Sequence, residues 1–450
     1  MSAAVEFRNL TPFDALCFRA VDQADRGYRV IAMKVGYRLR RDASGRWKAR
    51  VNDDDPAPLT LADEYWGEVG ASSPREESDL APYKPRCDVI VNATAHAPGG
   101  MAASEWEVRL KVASRRQWMR PPEPPRPLHP GARLTPRQQQ EWDDAKRWTQ
   151  ALSTLHTVLD KRLSVRGPAV LYRRGGREWA RTHSEPIASL PMRWEHAFGG
   201  RSLLRKADAP EGEPPLRDEV CFSNPLGQGW IEQGYLEQAR KAGRPDVERL
   251  LAPQIEPAGI CLQQPVVARH ADGPQDARAM AQAAGRYGQA PAGLGVVGRA
   301  WAPRLALAGT CDEQWLQHRH PGLPGDFDFG YWNAAPADQQ VPYLSPDARI
   351  DLWNLTDPAL TPNGHLSVAL PGHRALVLLR LDSGALVPMP MMTDTLLVDA
   401  QQLTLTLVHR LCLPADAPLR VAEARFETDP QAPLVRPARV AGTGVPEPVR

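Results

Sequence analysis

Residues 315–344, WLQHRHPGLPGDFDFGYWNAAPADQQVPYL, hold the densest collection of chemistry-bearing side chains in the chain. His318 and His320, spaced as His-x-His, would point to one side of an extended segment. Asp326 and Asp328 could then complete a mixed nitrogen and oxygen donor set, the equipment of a metal-dependent hydrolase. The same segment is dense in proline and glycine, where histidine usually bonds the backbone and aspartate caps turns. Its residue types therefore favour a rigid loop over a metal centre, with Trp315, Phe327, Phe329, Tyr331 and Trp332 either candidate surface anchors or mostly core.

The remaining candidates fall short of known constellations. Glu195 and His196 in RWEHAFGG offer half of an HExxH zinc motif, but Gly199 and Gly200 stand where the second histidine is needed. GLGVVG at 293–298 matches G-x-G-x-x-G, yet QAPA precedes it and Pro303 follows closely, so the strand and helix of a dinucleotide site are not expected. No G-x-S-x-G nucleophile elbow occurs. The carboxylate pairs Asp53–Asp55 and Asp143–Asp144 read as solvated charge. Arg173, Arg174 and Arg177 flank a turn and form no basic stripe. No catalytic set, cofactor or metal is expected.

Composition narrows the classes further. The chain has 450 residues, 42% hydrophobic and 24% charged, with a formal net charge of +2. No global field draws it to nucleic acid or an anionic membrane, and neither partner is expected. Six scattered cysteines form no CxxC pair, which excludes a zinc ribbon and suits free thiols in a reducing compartment. There is no basic region followed by an apolar run at the N-terminus and no apolar stretch long enough to span a bilayer, so a cytoplasmic location is expected. Forty-five prolines interrupt helices and favour ordered loops between strands.

Periodicity supplies the scaffold. Over residues 28–40, Ile31, Met33, Val35, Tyr37 and Leu39 share one face, with Lys34, Arg38 and Arg40 on the other; this predicts a half-buried strand that turns through RDASGR into WKARV. CDVIVNATAHAP predicts a strand buried on both faces, and EWEVRLKV another with Trp106, Val108, Leu110 and Val112 inward. A proline-rich linker over 121–136 precedes a helix capped by Thr135 and Gln138. Trp142, Ala145, Trp148, Leu152, Leu155 and Leu159 extend that helix to about Leu163. Short helices are expected over EQGYLEQARKAG and DARAMAQAAGRYG. Beyond Ile350 the segments DLWNLT, HLSVALPGH, RALVLLRLD and LTLTLVHRLCLP predict further strands. The fold class is mainly β, a sandwich-like set of antiparallel sheets with long ordered loops and a few helices, with α+β as the alternative. A β-rich region over 1–345 carries the helical insertion at about 121–163. A second β-rich region over 346–425 packs on it, and 426–450 form a loose tail.

The ordered succession SDLAPYKPRCDVIVNATAHAP, LPMRWEHAFGG, NPLGQGW, RLALAGTCDEQWLQHRHPGLPGDFDFGYWNAAPADQQ and DLWNLTDPALTPNG resembles the domain of unknown function 2169 family, from about residue 10 to residue 380. The linker and helix at 121–163 look like an elaboration, and Cys87 stands where a small polar residue is common. The resemblance implies a bacterial cytoplasmic adaptor or chaperone that binds a type VI secretion effector and helps load it onto the VgrG–PAAR spike. It implies no catalytic residues. Trp194, His196, Phe198, Trp315, Phe327, Phe329, Tyr331 and Trp332 are the candidate partner-binding side chains, since aromatic residues carry interface energy disproportionately. A metal-dependent hydrolase using His318, His320, Asp326 and Asp328 and a structural component of the secreted spike are the alternatives.

Overall fold

The computed structural model describes residues 5–115, 134–141, 143–144, 154–174, 178–206, 208–242, 249–268 and 290–433. Strands dominate, as the alternating patterns predict. The largest sheet has seven strands. Along its path lie Ala15–Val21, Gly27–Arg41, Thr404–Pro414, Met392–Asp399, Cys87–Asn92 and Gln340–Val341, with Trp47–Val51 pairing the far end of Gly27–Arg41. A five-stranded sheet runs Ile255–Pro257, His156–Arg166, Glu105–Ser114, Arg349–Trp353, His365–Ala369. A four-stranded sheet runs Glu6–Asn9, Leu419–Glu427, Arg374–Leu381, Leu386–Pro390. Most pairing is antiparallel, but Cys87–Asn92 lies parallel to Met392–Asp399, and Glu6–Asn9 parallel to Leu419–Glu427.

One apolar cluster draws on all three sheets. Met33, Val35 and Leu405 come from the seven-stranded sheet, Val108, Leu110 and Ile350 from the five-stranded one, and Val377 and Ala424 from the four-stranded one. Strands from both sides of residue 345 thus share a single sheet and fill a single core. The expected alternation explains this inner layer: Trp106, Val108, Leu110 and Val112 are all buried, as are Ile31, Met33, Val35, Tyr37 and Leu39.

The outer face of the seven-stranded sheet departs from expectation. Gly27–Arg41 is not half-exposed along its middle, because Val30, Ala32, Lys34 and Gly36 are buried as well. Lys34 Nζ is taken up by Thr60 Oγ1 at 2.7 Å, Asp79 Oδ2 at 3.1 Å and Glu76, so residues 59–79 cover this face with matched charge. Cys87–Asn92 is buried on both faces as read from its apolar run: Val89 and Val91 join the main core, while Ile90 packs with Leu397 under Val296, Ala334 and Ala335.

The long helix requires correction. Its start is as read: Thr135 N donates to Gln138 Oε1 at 3.0 Å and Gln138 N to Thr135 Oγ1 at 3.3 Å, the reciprocal capping box. It does not reach Leu163, because His156–Arg166 is a strand pairing Glu105–Ser114 antiparallel. Leu159 and Leu163, four apart, share a face in either geometry, so their spacing carried no discrimination. Residues 116–133, Trp142, Ala145, Trp148 and Leu152 lie outside the described residues, as do DARAMAQAAGRYG and 434–450. The helix Gln233–Lys241 forms where expected.

Candidate partner-binding site

The aromatic loop is built from short elements, two of them started by a local side-chain cap. Asp312 opens the helix Glu313–His318 by accepting from Trp315 N at 2.8 Å. Asp328 opens the 3-10 turn Phe329–Trp332 by accepting from Gly330 N at 2.7 Å. Asp326 accepts from Thr310 N at 2.8 Å and Thr310 Oγ1 at 2.7 Å; these bonds hold its carboxyl below the ordinary range. His318 is exposed at the end of its helix, and His320 is exposed with its ring edge-on to Trp315 at 5.1 Å. Both candidate metal-ligating aspartates are therefore committed to structure, Asp328 capping a turn of the loop and Asp326 tying the loop to Thr310. Among the described residues no group of three or more His, Cys, Asp or Glu is placed to hold a metal ion.

Buried charges fasten the loop to the sheet. Asp88, fully buried, accepts from Ala334 N at 2.8 Å, Ala335 N at 3.1 Å and Asn333 Nδ2 at 3.0 Å, and pairs with Lys84 Nζ at 2.9 Å. Arg304 makes a two-point pair with Glu77, Nη2 to Oε2 at 3.1 Å, and donates to Val297 O at 2.8 Å and Tyr331 O at 2.6 Å. Arg319 reaches Asp25 at 2.8 Å, Leu323 O at 2.9 Å and Gln23 O, while Gln23 Nε2 donates to Phe327 O at 2.6 Å. The loop is thereby tied to the hairpin at residues 21–27.

The aromatic side chains divide by position. Phe327 is buried and meets Phe329 at 5.5 Å, Tyr331 at 5.7 Å and Trp332 at 6.3 Å. Trp315, Phe329, Tyr331 and Trp332 are partly exposed. Trp315 Nε1 donates to Gly322 O at 2.9 Å, which fixes its ring next to Leu316, a leucine 60% exposed. Arg299 lies over Trp332 at 5.4 Å and Arg304 over Tyr331 at 5.6 Å.

The other three candidates sit elsewhere. Trp194 is buried, edge-on to Trp301 at 5.4 Å, with its Nε1 donating to Val296 O at 2.6 Å. Phe198 is core in a separate cluster with Cys221 and Trp230. His196 is half-buried against Gln254 Oε1 at 3.1 Å, and burial lowers its pKa. WEHAFGG and NPLGQGW meet as one knot. Asn224 Nδ2 donates to Trp194 O at 2.9 Å and Phe198 O at 2.8 Å, and a Cβ at Gly227 would come within 2.4 Å of Ala197 O. These conspicuous motifs therefore lock the fold and present little surface.

An apolar cleft of about 480 Å³ opens beside the loop, walled by Trp194, Trp301, Pro291, Pro303, Leu307 and Pro336. Arg304 belongs to both features, and Leu307 O accepts from Asp328 N at 2.9 Å. Lys161 stands in the cleft wall and bonds Asp338 Oδ1 at 2.9 Å and Gln339 Oε1 at 2.8 Å; burial lowers its pKa against the pull of Asp338. Sequence reasoning missed Arg304, Lys161, Trp301 and Leu316. Only Asp88 carried a legible signal, a carboxylate inside an apolar run, which demands buried partners.

The family described as "Uncharacterized protein conserved in bacteria (DUF2169)" matches residues 24–135 and 138–410, well over half of the sequence. The chain belongs to this family. The match takes in most of the 121–163 region read above as an elaboration. No curated protein matches the chain, and no solved structure does.

Proposed function

We propose that this member of the domain of unknown function 2169 family is a non-catalytic adaptor that holds a type VI secretion effector in the bacterial cytoplasm and helps load it onto a VgrG–PAAR spike. The secretion context rests on the resemblance of its ordered motifs to that family. The observation that carries the binding role is the aromatic loop itself. Leu316 and four partly exposed rings are held by caps and buried ion pairs beside an apolar cleft, while the loop's aspartates are committed to structure. A rigid apolar surface binds with little ordering cost, and an apolar cleft with a few polar groups in its wall suits side chains of a bound polypeptide.

The test uses the tagged protein expressed in its bacterium under secreting conditions, with Leu316→Asp as the control. Leu316 is on an exposed helix face, so the substitution is expected to leave the fold intact. Co-purification of an effector with PAAR or VgrG, weakened at least about tenfold by Leu316→Asp, is the expected result. Binding indifferent to Leu316→Asp would remove the loop from the interface.

A further inference from the structure

We propose that the edge strand Ala15–Val21 is a strand-addition site for an extended polypeptide segment from another protein that sets a carboxylate opposite Arg19. The register determines which backbone groups are free. Lys34 N donates to Asp14 O at 3.0 Å and Asp22 N to Arg26 O at 3.1 Å. Residues 14 and 22 are thus hydrogen-bonded positions of the antiparallel pair with Gly27–Arg41, and the alternation makes Leu16, Phe18 and Ala20 the bonded positions between them. The N–H and C=O groups of Ala15, Cys17, Arg19 and Val21 point away from the sheet. Among the described residues these groups meet no hydrogen-bond partner. Such a row, repeating every second residue, is complemented by another extended backbone.

Four other edges are protected by proline, short length or charge, and this one is left open. Leu386–Pro390 carries Pro388 and Pro390, Ile255–Pro257 is three residues long and ends in proline, and Gln340–Val341 has two residues. Trp47–Val51, on the same side of Gly27–Arg41, carries Lys48 and Arg50. Ala15–Val21 has seven residues, no proline, and Leu16 and Val21 exposed. Short length, proline and charge are the usual defences of an edge, and here only Arg19 remains. Arg19 is exposed and has no ion-pair partner among the described residues. A second copy paired about the centre of this strand would set two Arg19 side chains diagonally on one face, a like-charge arrangement, whereas a segment with an acidic residue there gains a cross-strand pair. This assignment stands apart from the aromatic loop and does not depend on it.

The test is residue-resolved hydrogen–deuterium exchange of the full chain with the synthetic heptapeptide Thr-Val-Thr-Glu-Thr-Val-Thr at about 1 mM, enough to register even weak strand addition. In the free protein the amides of Leu16, Phe18 and Ala20 exchange slowly and those of Cys17, Arg19 and Val21 quickly. The peptide is expected to slow Cys17, Arg19 and Val21 by at least about tenfold. Arg19→Pro removes an outward N–H that the fold does not use and abolishes the effect at Cys17 and Val21. Arg19→Glu, which keeps the backbone intact, transfers preference to the peptide with lysine at its centre. Unchanged exchange at Cys17 and Val21 with saturating peptide overturns the proposal. So does protection that grows with protein concentration without peptide, which assigns the edge to a second copy.

Discussion

Replacing Arg304 by methionine tests whether buried charge holds the aromatic loop in place. Arg304 is 3% exposed and Glu77 is buried with it, so the variant leaves a carboxylate without its two-point partner. Removing one member of a buried pair costs about 3–5 kcal/mol. Two further effects adjust that range. Val297 O and Tyr331 O lose their donors, at about 1–3 kcal/mol for each acceptor left unsatisfied. Arg299 Nη2, already 3.5 Å from Glu77, can recover part of the lost pairing. With Arg299 recovering part of the pairing, the net expectation for Arg304→Met is a loss of about 5 kcal/mol or more in urea-unfolding free energy. Adding Glu77→Leu removes the orphaned carboxylate, and the double variant is expected to regain at least about 1–2 kcal/mol, the residue of the deficit belonging to the two carbonyls. A loss under about 1 kcal/mol for Arg304→Met, or a double variant no better than the single one, would refute the clamp.

Three further outcomes follow from the same geometry. Burial lowers the pKa of His409 to about 4, with its Nδ1 3.1 Å from Thr393 Oγ1 and its Nε2 buried with no hydrogen-bond partner among the described residues. The folded state therefore holds the ring neutral. This contribution is fully present above the unfolded value near 6.5 and is lost as pH falls from there to about 4, amounting to at most about 3 kcal/mol; His409→Gln should flatten the stability profile across that window. Gly227→Ala drives a Cβ toward the Ala197 carbonyl and should abolish soluble folded protein, or cost more than about 3 kcal/mol by thermal unfolding. Asn224→Asp replaces the donor that meets Trp194 O and Phe198 O and should lower stability by about 2–4 kcal/mol, read by urea titration.

The sequence made the layers of this fold legible where one face of a strand meets the core. Ile31 through Leu39 and Trp106 through Val112 alternate because their neighbours across the core are apolar. It misled where a second covering lay far along the chain. Lys34 reads as a solvent-facing lysine, yet Thr60, Glu76 and Asp79 arrive from elsewhere to enclose it. The seven-stranded sheet sets the 392–414 strands between residues 15–51 and Cys87–Asn92, and no local pattern encodes that meeting. At the site, proline, glycine and aspartate announced a rigid loop; Asp328 caps a turn, and Asp326 ties the loop to Thr310. Which aromatics face outward was not legible: Phe327 and Tyr331 differ little in sequence context, but one is central to the cluster and the other lies at its margin.

The most direct measurement of the adaptor reading is quantitative mass spectrometry of complexes captured on the tagged protein, from the cytoplasm and from the secreted fraction of its native bacterium. The account predicts a near-stoichiometric effector with PAAR or VgrG in the cytoplasmic sample, the tagged protein absent from the secreted one, and loss of the effector with Leu316→Asp. Recovery of the protein in the secreted fraction with the spike, or capture of no effector under secreting conditions, would contradict it.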